Sequence, residues 1–143
     1  MQAEAFLGAW RIAREIEDRR GPDGRFEGRA IISEVAPGEW LYHETGRLSF
    51  GAGQGFDAER RYLWRPAGAM IDVFFDDGRP FHRIDLAGGA DRHHCAPDIY
   101  DVRYDFRDWP FWEAVWHVSG PRKDYVMRSR YRQQDLQSGA AQG

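Results

Sequence analysis

Hydrophobic and polar residues alternate with a period of two along most of this chain, as they do in strands with one dry and one wet face. Trp10, Ile12, Arg14 and Ile16 share a face opposite Arg11, Ala13, Glu15 and Glu17, and Phe26, Gly28, Ala30 and Ile32 repeat the pattern after Gly21-Pro22-Asp23-Gly24. Trp40, Tyr42, Glu44, Gly46 and Leu48 form a third inward row. Phe56, Ala58, Arg60, Tyr62 and Trp64 form a fourth. Further rows are Ile71 and Val73, then His82, Ile84 and Leu86, and then Tyr100, Val102, Tyr104 and Phe106, which extends back to Asp98. Trp112, Ala114, Trp116 and Val118, and finally Tyr125, Met127, Ser129 and Tyr131, complete the set. Pro37-Gly38, the Gly-rich stretch 49–55, Asp77-Gly78 and Gly120-Pro121 supply turns between rows. Only Gln2 to Leu7 suggests helix, and only for a single turn. About nine strands at this spacing predict an all-β antiparallel barrel or sandwich, and closure is favoured because it leaves no unpaired edge. One domain over 1–132 follows, with a frayed polar tail over 133–143.

Turn chemistry also fixes register. Pairing about Asp77-Gly78 sets Val73 opposite His82 and Ile71 opposite Ile84, which keeps Asp72, Arg83 and Asp85 wet and turns His82 inward. A hairpin centred near Ala52 sets Trp40 opposite Trp64, Tyr42 opposite Tyr62 and Glu44 opposite Arg60. The last pair predicts a Glu44 to Arg60 contact inside the barrel.

The dry face therefore carries acids, bases and phenols, and burying such groups unpaired costs roughly 1–3 kcal/mol apiece. A lined cavity explains them better than an apolar core does. Its candidate ligand-binding residues are Arg14, Tyr42, Glu44, Arg60, Tyr62, His82, Asp98, Tyr100, Tyr104, Trp116, Tyr125 and Tyr131. An aromatic fraction of 15%, with six Trp, suits the walls of such a site. The leading expectation is a small, partly aromatic ligand with an anionic or hydroxyl group. An alternative is a cofactor-free lyase, isomerase or decarboxylase with Glu44 or His82 as acid/base and Arg60 and tyrosines holding substrate charge. Haem held through one His is a further alternative. His82, His94 and Cys95, with His93 and Asp98 nearby, have the ligand types of a zinc site, yet the spacing matches no standard pattern and successive strand residues point apart. The expectation is therefore no metal and no cofactor. Lys123 has inward parity but follows a turn.

The remaining bounds are negative. A net charge of −3 and a pI near 5.9 argue against a nucleic-acid or anionic-membrane surface, which needs a basic stripe. One Cys excludes an internal disulfide, and no apolar run reaches the length of a membrane span. A cytoplasmic protein is expected, as monomer or homodimer.

Gly8-Ala9-Trp10 after a helical turn resembles the opening of lipocalin-like barrels, where that Trp closes the floor beneath a basic side chain of the last strand, here Arg130 or Arg132. A fuller set is Phe6-Leu7-Gly8-x-Trp10, Tyr42-x-Glu44-x-Gly46, Arg60-x-Tyr62-x-Trp64, Phe81-His82, His94-Cys95-x-x-Asp98-x-Tyr100 and Trp116-x-Val118-x-Gly120-Pro121-Arg122-Lys123-Asp124-Tyr125. Together these resemble, over nearly the full length, a bacterial and fungal family of unknown function with a lipocalin-like, calycin-type fold. The resemblance implies an up-and-down barrel and supplies no activity.

Overall fold

The computed structural model describes residues 1–134. A one-turn 3-10 helix, Ala3–Phe6, precedes ten strands: β1 Gly8–Asp18, β2 Gly24–Ala36, β3 Glu39–Phe50, β4 Phe56–Ala67, β5 Met70–Phe75, β6 Pro80–Asp85, β7 Gly89–Cys95, β8 Asp98–Asp105, β9 Trp112–Ser119 and β10 Asp124–Gln134. They form one antiparallel sheet in the order β6-β5-β4-β3-β2-β1-β10-β9-β8-β7. Each strand lies beside its sequence neighbour, except that β1 closes on β10 and a seam separates β6 from β7. The seam has no backbone ladder; the Arg83 N–H donates across it to the Asp91 carboxylate at 2.8 Å. No helix among the described residues is long and apolar enough to cross a membrane.

The strand count departs from the expected nine because Gly89–Cys95 is a strand of its own, turning at Ala96-Pro97 so that Cys95 faces Asp98. Gln133 and Gln134, the first residues of the expected tail, belong to β10; the rest of it, 135–143, lies outside the described residues.

The predicted registers hold. Val73 faces His82, Ile71 faces Ile84, and Trp40, Tyr42 and Glu44 face Trp64, Tyr62 and Arg60. Between Val73 and Phe74 the β5–β6 register slips by one, so that Phe74 faces Pro80. The resulting bulge turns Phe81 inward alongside His82, and both are buried.

One end of the barrel is sealed by aromatics. Phe6, fully buried, meets the rings of Trp64, Phe106, Trp109 and Trp112 edge-on at centroid distances of 4.9–5.6 Å. The 3-10 turn is tied to the wall by the Trp10 indole N–H, which donates to the Phe6 carbonyl at 2.8 Å. The expected packing of Arg130 or Arg132 on Trp10 does not occur. On β10, Gln133 lies beside Trp10, and Arg130 and Arg132 have the outward parity, leaving Trp109 and Trp112 to cover the indole. Trp10→Phe keeps the ring and strands the Phe6 carbonyl, so thermal unfolding should register a loss of about 1–3 kcal/mol.

Candidate functional site

Above the sealed end sits a polar layer, built around Arg14 on β1. Arg14 stands opposite Phe26 on β2, but the next two inward positions of that strand are small: Gly28 lies beside Ile12 and Gly46, and Ala30 lies beside Glu44. At Gly28 the strands approach so closely that a Cβ would collide with the Thr45 carbonyl and the Phe26 ring. These gaps let the Arg14 side chain cross β2, with its guanidinium 5.0 Å from the centre of the Phe26 ring, and reach Glu44. Nη1 and Nη2 donate to the two carboxylate oxygens at 2.7 and 2.8 Å, and Nε donates to Ser129 Oγ at 2.6 Å. Tyr42 donates its hydroxyl to Glu44 at 2.6 Å and lies 2.8 Å from the Tyr131 hydroxyl.

The expected Glu44 to Arg60 contact is therefore replaced by a bidentate Glu44 to Arg14 pair, although Glu44 and Arg60 do stand opposite in the ladder. Burial pushes the Glu44 carboxyl up, but the Arg14 fork and the Tyr42 hydroxyl outweigh it and hold the group below its ordinary range. Burial likewise opposes the Arg14 charge, and Glu44 restores it. The phenols are held neutral: burial raises Tyr42 and Tyr104, and raises Tyr131 to about 12.

His82 lies next to this layer. Its Nε2 is 2.9 Å from the Tyr104 hydroxyl, the two rings stack, and burial lowers its pKa to about 3. Its Nδ1 is buried without a partner, as are the indole N–H groups of Trp112 and Trp116. Arg60 contacts the Met127 sulfur at 3.8 Å and, beside the Tyr62 phenol, opposes the rise in pKa that burial gives that phenol, with no carboxylate within ion-pair distance among the described residues.

Nine of the candidate residues, Arg14, Tyr42, Glu44, Arg60, Tyr62, His82, Tyr104, Trp116 and Tyr131, line one internal cavity together with Val73, Trp112, Met127 and Ser129. Its volume is about 20 Å³. Asp98, Tyr100 and Tyr125 lie outside it, at the hairpin end of the barrel, where Asp98 pairs with Lys123 at 3.1 Å. That pairing raises the Lys123 pKa, which runs against a role as an amine nucleophile. The zinc-type residues do not converge. His82 is buried within, His93 and Cys95 have inward parity beside Tyr100 and Asp98, and His94 is exposed with the parity of Ile99; among the described residues no three His, Cys, Asp or Glu side chains form a metal-binding group. Ser129, which lines the cavity, and Phe81, whose ring packs against Tyr62, His82 and Trp116 of its wall, are residues that sequence reasoning passed over. Inward parity gave a signal for Ser129, whereas only the bulge brings Phe81 in.

Comparison with known proteins places the architecture. The fold is similar to an S-type phycobiliprotein lyase from Guillardia theta, at 8% identity and a TM-score of 0.68, over 92% of this chain and 90% of that one. It is also similar to a de novo designed fluorescence-activating β-barrel, at 15% identity and a TM-score of 0.52, over 94% and 100% of the two chains. A protein of unknown function from the DUF3598 family of Nostoc punctiforme matches at 13% identity and a TM-score of 0.57, over 92% of this chain and 48% of its own. No curated protein matches the chain. The model of DUF6314, a family of unknown function, matches residues 6–133, and the chain belongs to that family.

Proposed function

We propose that the barrel interior binds a small, partly aromatic molecule carrying an anionic or hydroxyl group. The observation that carries this reading is a surplus of donors around the cavity. Arg14 and Glu44 cancel, whereas Arg60 adds an unbalanced positive charge, and the Trp116 indole N–H is buried with the Tyr104 hydroxyl nearby but no well-formed hydrogen bond. Each such donor costs about 1–3 kcal/mol while it stays unpaired, and an acceptor-rich ligand group removes that cost. Tyr62, Phe81 and Trp116 give the aromatic surface, with ring centroids 5.3–6.0 Å apart. A void of about 20 Å³ holds one water. The ligand therefore enters only as the half-buried Arg60, Tyr62 and Trp116 swing aside. That one neighbour of this fold is named a lyase and another a fluorescence-activating barrel supports the use of the architecture for small-molecule chemistry.

The other two readings gain less from the geometry. Glu44 has both oxygens engaged and is held ionised, and His82 gives up its proton too readily to serve as a base near neutral pH. Haem fits these residues poorly, because His82 Nε2 is taken by Tyr104 and a macrocycle would displace the polar layer.

Titration with anilinonaphthalenesulfonate, an aromatic anion, tests the reading. Arg60→Met should weaken its fluorescence-detected binding by about 10–100-fold with little change in Tm, the worth of a charge-assisted hydrogen bond. Equal affinity in both proteins would overturn the assignment of Arg60.

A further inference from the structure

The outer wall carries a second arrangement that the interior does not explain. Arg11 on β1 stands directly between Arg132 on β10 and Arg29 on β2, all three exposed. Like charges directly opposite on neighbouring strands repel. Other arginines of this face stand beside carboxylates: Arg47 pairs with Asp57 at 2.8 Å, Arg130 lies 3.6 Å from Glu15 and 3.4 Å from Glu113, and Arg25 and Arg128 flank Glu15 in the ladder. Among the described residues, Arg11, Arg29 and Arg132 have no carboxylate within ion-pair distance. They line an outer groove of about 1290 Å³, walled on one side by Phe111, whose ring centre is 5.8 Å from the Arg132 guanidinium.

We propose that this row binds a small anion with two linked phosphate groups, a diphosphate or diphosphate ester, laid across β10, β1 and β2. Strands about 4.8 Å apart spread three guanidinium stems over roughly 10 Å, more than one phosphate spans and within reach of two. Guanidinium forks match phosphate oxygens in pairs, and three cations balance a diphosphate trianion. Glu27 on β2 and Asp57 and Glu59 on β4 line the same groove and limit the site to a short anion, since a longer polyanion would meet their carboxylates. The site is separate from the barrel interior and stands whether or not the interior binds a ligand.

Calorimetric titration of the full chain at low ionic strength tests it, with inorganic pyrophosphate as the probe and orthophosphate beside it. Pyrophosphate should bind at least about tenfold more tightly than orthophosphate. Arg11→Gln and Arg29→Gln should each weaken pyrophosphate by about tenfold or more, while Arg128→Gln, on β10 but opposite Glu15 rather than Arg11, should leave it unchanged. Because Arg11→Gln relieves repulsion, it should also raise the Tm of the ligand-free protein by about 1–3 °C, which separates lost binding from lost folding. Absent pyrophosphate heat, undiminished binding by Arg11→Gln, a lowered Tm for that variant, or tighter binding of a single-stranded RNA oligonucleotide would each overturn the proposal.

Discussion

Arg14→Met should destabilise the protein by about 3–5 kcal/mol in chemical denaturation, Glu44→Gln should cost a comparable amount, and the double variant should recover much of the loss. The two side chains are 7% and 2% exposed, so neither charge has water to fall back on when its partner is removed. The pair itself need not favour folding, because the desolvation of both ions offsets much of their attraction. The penalty belongs to the stranded charge. Arg14 facing Glu44→Gln would keep Ser129 Oγ and one amide oxygen as acceptors but no counter-charge, and Glu44 facing Arg14→Met would keep only the Tyr42 hydroxyl. Removing both leaves a polar but uncharged gap between Phe26 and Tyr131. Additive losses across the cycle would show that the two side chains act independently and would refute the network.

Acid should weaken the fold well before its carboxylates titrate. His82 has an ordinary pKa near 6.5 when the chain is unfolded and about 3 when folded, because burial disfavours the imidazolium. Its folded value is depressed, so the stability it confers is complete above about pH 6.5 and is lost as pH falls towards 3, where the unfolded chain binds the extra proton. The slope approaches 1.4 kcal/mol per pH unit, which gives a loss of about 2–3 kcal/mol between pH 6.5 and 4.5. Glu44, also depressed, adds a loss of the same sign only below its ordinary range, about pH 4.3. Denaturant curves across this window should slope steeply in the natural protein and flatten in His82→Gln, whatever that variant's absolute stability. Parallel slopes would mean that His82 is hydrated, or is protonated while folded.

The sequence exposed those features that depend on neighbouring strands alone. Alternation and Asp-Gly turn chemistry placed His82 indoors opposite Val73, and set the Trp40 to Leu48 row against Phe56 to Trp64. Partner choice across the barrel was not legible. Glu44 faces Arg60 in the ladder yet bonds Arg14, two strands away, because Gly28 and Ala30 leave β2 low enough for a long side chain to pass. Strand β7 escaped notice for a different reason. As a short seam strand it covers little core, so Asp91, His93 and Cys95 take the inward positions where the pattern wants apolar residues. The Trp10 expectation came from resemblance, and the parity of β10, already readable from Met127, Ser129 and Tyr131, overrides it.

The seam between β6 and β7 also bears on how the molecule meets copies of itself in a crowded solution. An unpaired strand edge is a template on which a foreign strand can grow, the first step towards fibrils. Here Pro80 opens β6 without an N–H to offer, and the Asp91 carboxylate already holds the Arg83 amide that an incoming strand would seek. The same carboxylate brings a buried-facing charge to β7, which a docking neighbour would have to desolvate. One side chain thus closes the barrel wall and denies its edge to other chains.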